Sequence, residues 1–382
     1  MKYETLAIHG GRGLEEGTRI RPVNYPIYLS STFTQDSLDQ FNEFMYTRSN
    51  NPTRNNLETL VAQLEGASHG LALSTGMAAT SLVFSLIGPG EKVLINSNVY
   101  GGTWNFVTEV FRIRGIEFEI VEDFNNYDFA QADDSVTTVF LETPSNPLLE
   151  ITDIRRVAEA AHRRGLRVIV DNTFMTSFYQ KPLDLGADIV VYSATKYFAG
   201  HSDILAGLVL LNDDDVYAKL KFHQKTLGAV LDPVASYSLT KSIKTMPLRL
   251  KQHDRNAQTV AEYFKASDAA DAVFYPGLPD HPGHDIHIGQ ASGNGAVLSV
   301  RLNEAYDMNT FCNSLRLFEL AVSLGGVESL ICHPGTMTHE EYPEELQEQI
   351  GITKNLLRLS VGIEDIEDII TDIDQALSRA RR

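Results

Sequence analysis

Lys196 follows Ser193-Ala194-Thr195 at the end of the apolar run Ile189-Val190-Val191-Tyr192, and Asp171 ends a similar run, Val168-Ile169-Val170. A third place of this kind is Ser74-Thr75-Gly76-Met77, which leads into an uncharged helical stretch. In open α/β sheets ligands sit outside the carboxyl ends of the strands, so polar residues just beyond apolar runs are weighed first. Small residues and a glycine ahead of a helix expose backbone N–H groups to an anion, and the helix dipole assists them. Gly76 therefore reads as a phosphate site. Taken singly, a lysine after a strand is ordinarily a surface residue and a glycine an ordinary turn. Together, the lysine, the acid, the hydroxyls of Ser193 and Thr195 and the phosphate site meet the needs of pyridoxal phosphate. That cofactor takes a lysine amine for its Schiff base, a carboxylate to keep its pyridine nitrogen protonated, and donors for its phosphate. The lysine has to be partly desolvated so that its neutral amine is accessible near pH 7, which an apolar strand end provides.

Several elements are needed to position these groups. The runs Lys92-Val93-Leu94-Ile95, 136–141, 167–171 and 188–193 are apolar throughout their middles, as strands covered on both faces should be. Helical spacing is read at 55–64 (Leu57, Leu60, Val61, Leu64) and at 151–165, where Thr152-Asp153 offers an N-cap and Gly165 a stop. The alternation predicts an α/β domain with a mainly parallel sheet over 56–240. An arm rich in turn formers precedes it at 1–55, and a smaller α/β domain follows at 241–382. In that last region one long helix is predicted over 242–266, a strand over 296–302 and an amphipathic helix over 364–380. Residues 340–348 are acidic and read as a solvated surface.

The chain has 382 residues, 43% of them hydrophobic and 21% charged, with a net charge of −18. At roughly 150 residues per domain this allows two or three domains and a sizeable core. An acidic surface repels phosphate backbones and anionic lipids, and with no basic patch in the sequence neither nucleic acid nor a membrane is an expected partner. Cys312 and Cys332 have no spacing to each other or to a His pair that would suit a disulfide framework or a zinc knuckle. Together with a start that lacks a secretory apolar segment, they point to the cytoplasm. His281, His284 and His287 could ligate a metal, but their Pro- and Gly-rich surroundings over 279–289 predict a surface loop, and no metal is expected. His9-Gly10-Gly11-Arg12-Gly13 follows no strand, so it is not a dinucleotide-binding fingerprint.

The run from Asp188 to Ser202, which holds Ser193-Ala194-Thr195-Lys196, resembles the lysine-site signature of the Cys/Met-metabolism pyridoxal-phosphate enzymes. These are the cystathionine lyases, the cystathionine synthases and the methionine γ-lyases. Further matches are spread over nearly the whole chain, among them 46–53, Val99-Tyr100-Gly101-Gly102-Thr103, Glu142-Thr143-Pro144-Ser145-Asn146-Pro147, Ser323-Leu324-Gly325-Gly326 and Arg358-Leu359-Ser360-Val361-Gly362. The resemblance implies fold type I, the aspartate-aminotransferase-like fold of these enzymes. It also implies that Lys196 bonds covalently to the cofactor and shuttles protons, that Asp171 pairs with the pyridine nitrogen, and that Tyr100 stacks on the ring and serves as a base. Gly76, Met77, Ser193 and Thr195 would hold the phosphate, Asn146 would approach the ring hydroxyl, and Ser323 and Arg358 would receive the substrate, Arg358 by its α-carboxylate. Tyr46 and Arg48 would reach the phosphate of a neighbouring subunit in a homotetramer built as a dimer of dimers.

Within this family the resemblance favours a lyase that cleaves the C–S bonds of cystathionine and related sulfur amino acids. Val322, before Ser323, stands where the cystathionine γ-enzymes carry an acid and methionine γ-lyases a valine, whereas Gly102 stands where methionine γ-lyases carry a cysteine. Methionine γ-lyase activity is therefore the second expectation, and γ-replacement on acylated homoserine, as in cystathionine γ-synthases, the third.

Overall fold

The computed structural model describes residues 1–14, 20–340 and 342–382. Part of the predicted arm, 15–19, and Glu341 of the acidic stretch lie outside the described residues. The chain forms two compact units, Met1–Leu86 with Asp188–Pro247, and Ile87–Ala187 with Leu248–Arg382. Its strands are, in order, β1 (His69–Leu73), β2 (Lys92–Asn96), β3 (Glu117–Val121), β4 (Val136–Glu142), β5 (Arg167–Asp171), β6 (Ile189–Ser193), β7 (Gly207–Leu211), β8 (Ala270–Phe274), β9 (Val297–Leu302), β10 (Glu319–Leu320), β11 (Leu330–Cys332) and β12 (Leu356–Ser360).

In the first unit β7 lies between β1 and β6 and is antiparallel to both. Helix Pro52–Glu65 starts three residues before the predicted span because Asn51 caps it, accepting from the Thr53 N–H at 2.9 Å, and Pro52 suits the first position. Helix Gly76–Phe84 follows β1 and is capped by Thr75.

In the second unit β5, β4, β2 and β3 lie side by side in that order, all parallel. Val168, Ile169 and Val170 of β5 and Val139, Phe140 and Leu141 of β4 are fully buried, as continuous apolar runs in a covered parallel sheet require. Helix Ile154–His162 packs Ile154, Val157, Ala158 and Ala161 against Val139, Leu141, Val168 and Val170. Asp153 caps the helix by accepting from the Arg156 N–H at 3.0 Å, and Gly165, at φ +69°, turns the chain into β5. A second sheet has the order β10-β11-β12-β9-β8 and is antiparallel except between β10 and β11. The α/β architecture and the four strands predicted around the site are thus present. Strands β1, β3 and β7 and most of the second sheet lie outside the predicted strands, although β7 is apolar throughout.

Two predictions are corrected. The single helix over 242–266 is two helices, Pro233–Ile243 and Met246–Ala266. Pro247 has no N–H for an acceptor in the preceding turn and its ring crowds that turn's carbonyl, so the chain restarts with proline in its first turn. The predicted loop over 279–289 contains the helix His284–Gln290, and His287 is buried. The rings of that segment serve the backbone: His281 Nδ1 accepts from the Gly283 N–H, His284 Nδ1 meets the Pro276 carbonyl and His287 Nε2 the Gly293 carbonyl. Among the described residues no group of three or more His, Cys, Asp or Glu side chains is arranged to hold a metal ion, and no helix is long and apolar enough to cross a membrane.

Burial holds the imidazoles of His253, His287 and His339 down to about 4. Such groups bind protons more readily in the unfolded chain, so stability is lost as pH falls from the ordinary value of 6.5 toward 4. Replacing His287 by Gln should remove its share. The wild-type-minus-variant difference in unfolding free energy is expected to fall by up to about 3 kcal/mol between pH 7 and pH 4. Denaturant melts at the two pH values measure it, and a constant difference would contradict the assignment.

Candidate active site

In the first unit, β6 delivers Ser193, and a tight turn follows it. The Lys196 N–H donates to the Ser193 carbonyl at 3.1 Å, and the Gly200 N–H to the Lys196 carbonyl at 2.7 Å. Thr195 Oγ1 accepts from the Ala206 N–H at 3.0 Å, so its hydroxyl fastens this turn to the start of β7. Ser193 also faces the start of helix Gly76–Phe84. A Cβ placed on Gly76 would stand 2.7 Å from both Cβ and Oγ of Ser193, so only glycine lets the helix end and this side chain come so close. Thr75 Oγ1 takes the N–H of Ala78 at 2.9 Å, which leaves the N–H groups of Gly76 and Met77 directed out of the helix end. Two outward amides, a serine side chain and a positive helix end make a cradle of the right chemistry for a phosphate. Tyr46 and Arg48 pair with each other, the guanidinium 5.4 Å from the ring centroid, and Arg48 Nη1 donates to the Lys225 carbonyl.

The second unit gathers the remaining predicted residues around two acids. Glu142 and Asp171 end β4 and β5 and are opposite each other in the register. Asp171 Oδ1 accepts from the Thr173 N–H at 2.9 Å. Burial raises the Asp171 carboxyl, opposed by the hydroxyl and the N–H of Thr173. Burial, and then the charge of Asp171, push Glu142 well above the usual carboxylate range, while the N–H groups of Tyr100 and Asn146 and the charge of Arg358 favour its ionised form. A buried acid in that state is one that a cation would stabilise.

Arg358, in β12, is buried with its donors directed. Nη1 donates to Asn146 Oδ1 at 2.8 Å and Nη2 to the Ser323 carbonyl at 2.9 Å, while Nε is buried without a hydrogen-bond partner. Ser323 presents that carbonyl from a left-handed conformation, φ +89°, a strained backbone of the kind found at ligand sites. Val322 beside it is 53% exposed. His339, held neutral by burial, sets its Nε2 against the Asn146 carbonyl at 3.0 Å. Tyr100, half exposed, precedes helix Gly101–Asn105. The sequence reading missed Glu142, His339 and the Ser323 carbonyl as members of this cluster. Glu142 was detectable, since it ends an apolar strand just as Asp171 does.

A phosphate cradle beside a lysine turn, and a buried acid with an arginine presenting an unused donor, fit pyridoxal phosphate and an amino acid respectively. The chain matches the Cys/Met metabolism PLP-dependent enzyme family over residues 4–378. It belongs to that family. It is 44% identical to a cystathionine β-lyase of Lactococcus lactis subsp. cremoris over 98% of this chain and 99% of that protein. To a cystathionine γ-lyase of Bacillus subtilis it is 43% identical over 99% of each. A crystal structure of cystathionine γ-lyase from Lactobacillus plantarum, complexed with L-serine, superposes with a TM-score of 0.96 at 39% identity, covering all of this chain and 99% of that one. The fold is accordingly that of the fold type I members of this PLP-dependent family.

The Gly76 geometry yields a test. A Gly76→Ala chain has to move Ser193 or the helix end, and should bind pyridoxal phosphate at least about tenfold more weakly, the value of one charge-assisted hydrogen bond. Titration of the cofactor-free protein, followed by visible absorbance, measures this, and an unchanged affinity would refute the cradle.

Proposed function

We propose that the chain is a carbon–sulfur lyase that uses pyridoxal phosphate to eliminate at Cγ or Cβ of L-cystathionine and related sulfur amino acids. The products are a thiol amino acid, a 2-keto acid and ammonia. The observation that carries this reading is Arg358: a buried guanidinium, two nitrogens engaged and Nε open, suits an amino acid's α-carboxylate better than an ammonium would. The full-length likeness to proteins named as cystathionine β- and γ-lyases supports the choice of substrate. Val322, apolar and exposed, favours a second reading in which the substrate has no distal charge, as methionine does not.

When bound, the cofactor supplies a carbonyl for the substrate amine and a ring that accepts electrons from Cα. Lys196 would hold it covalently, and its amine, once free, would move the proton at Cα. Asp171 would keep the pyridine nitrogen protonated. Gly76, Met77, Ser193 and Thr195 would hold the phosphate. Tyr100 would stack on the ring and accept a proton from the substrate ammonium, Asn146 would approach the ring hydroxyl, and Arg358 with Ser323 would orient the substrate. We assign the arm to 1–55, the cofactor domain to 56–240 and the C-terminal domain to 241–382, which contains all of the second sheet.

The working form is a homotetramer, a dimer of dimers, in which Tyr46 and Arg48 serve a neighbouring subunit. Exposed apolar side chains along the arm, Ile20, Val23, Leu29, Leu38 and Phe41, support this, because a surface of that kind is normally covered. Two free thiols support a cytoplasmic setting.

The deciding assay offers cystathionine, methionine, homocysteine, cysteine, and acylated homoserine with cysteine, and identifies the keto acid. Pyruvate from cystathionine marks cleavage at Cβ and 2-oxobutyrate at Cγ. Cystathionine made from acylated homoserine, with little keto acid, would overturn the lyase reading. Lys196→Ala should hold the cofactor without a covalent bond and lose at least about 10³-fold in turnover; unchanged steady-state activity would refute its role.

A further inference from the structure

We infer that Glu142 is a positioning residue: by accepting the backbone N–H of Tyr100, its buried carboxyl group sets where the Tyr100 ring stands. The inference rests on the proposed role of Tyr100. Glu142 Oε2 accepts from the Tyr100 N–H at 3.0 Å. Tyr100 begins helix Gly101–Asn105 without a side-chain cap of its own, so this bond fixes the entry of the helix. From that helix Trp104 stacks on Tyr342 at 4.5 Å, and the Tyr342 hydroxyl donates to the Val99 carbonyl, next to Tyr100.

The Asn146 N–H and the charge of Arg358 favour the ionised form of Glu142. The Asn146 side chain accepts from Arg358 Nη1, and its carbonyl meets His339. Glu142 is itself fixed, since its N–H donates to Asn96 Oδ1 at 2.8 Å and its strand is locked in register with β5. Its carboxyl group therefore holds the backbone of the ring-stacking residue through the Tyr100 N–H.

An acid is an expensive choice here. Burial and the neighbouring charge of Asp171 both oppose its ionisation, and an apolar side chain would avoid that cost. What an apolar side chain cannot do is accept the N–H of Tyr100.

Glu142→Gln and Glu142→Ala in the cofactor-loaded full-length protein separate the roles. A glutamine carbonyl can accept the Tyr100 N–H without charge, so this variant should keep the visible circular dichroism of the bound cofactor. Its kcat and KM should stay within about threefold of wild type. The alanine variant should lose at least about half of the dichroic band and lower kcat about tenfold through Tyr100. Alanine with the wild-type band and constants, or glutamine as impaired as alanine, would overturn the inference. If the alanine chain does not fold, Glu142→Asp, which draws the oxygens back by one methylene, should behave as described for alanine, and wild-type behaviour would overturn it. The dichroic band does not depend on which substrate is turned over. A wild-type protein inactive on every sulfur amino acid would therefore defeat the proposed function while leaving the comparison at Glu142 intact.

Discussion

Much of the second unit's arrangement follows from two carboxylates buried at the ends of neighbouring parallel strands. Glu142 and Asp171 cannot move apart, because β4 and β5 are locked by fully buried valine, isoleucine, leucine and phenylalanine side chains on either side of the pairing. Like charges at such a depth repel far more than in water, so each acid needs its own compensation. Asp171 has the hydroxyl and N–H of Thr173; Glu142 has two backbone N–H groups and the field of Arg358. Each compensating group belongs to a different loop or strand, and fixing the acids therefore fixes those segments. A cation delivered to Asp171 would relieve the same tension.

The same economy explains how a chain of net charge −18 can attract anions. At Gly76 the donors are peptide N–H groups at a helix end, which carry no net charge and keep their orientation in an acidic molecule. At Arg358 the cation is buried and two of its nitrogens are already spoken for, so it is screened little by solvent or by distant acids. Local geometry outweighs the overall sign in both units. The cost appears in stability: imidazoles such as His339 are packed neutral next to Arg358, and acid works against them.

What could be read from sequence divides along physical lines. β5 and β6 carry unbroken apolar runs and β4 an apolar run after two threonines, and Asp171 and Ser193 end β5 and β6, where the strand-end rule looks first. Asp153 and Gly165 marked the crossover helix for the same local reasons that shape it in the structure. The second sheet was largely illegible because β10 has only two residues and β11 three, too short for any periodicity. The break at Lys244-Thr245 was missed although Pro247 signalled it, because a strong apolar spacing on both sides concealed the interruption. Glu142 ends β4 as Asp171 ends β5, so its place is legible, but its partner is a backbone N–H, which leaves no trace of its role in side-chain identity.

Residues that hold the framework and residues that could select a reaction are of different kinds here. Arg358, Asn146, Glu142 and Ser323 are tied to one another by hydrogen bonds or charge, and changing one disturbs the rest. Val322 shares the strained turn of Ser323, yet its side chain is 53% exposed. It can therefore change without unsettling the hydrogen bonds of Arg358. Relatives named as β-lyases and as γ-lyases are 44% and 43% identical to this chain, each over almost its full length. So small a separation is what would be expected if the bond that breaks is chosen by exposed side chains such as Val322, while the buried network stays common to both.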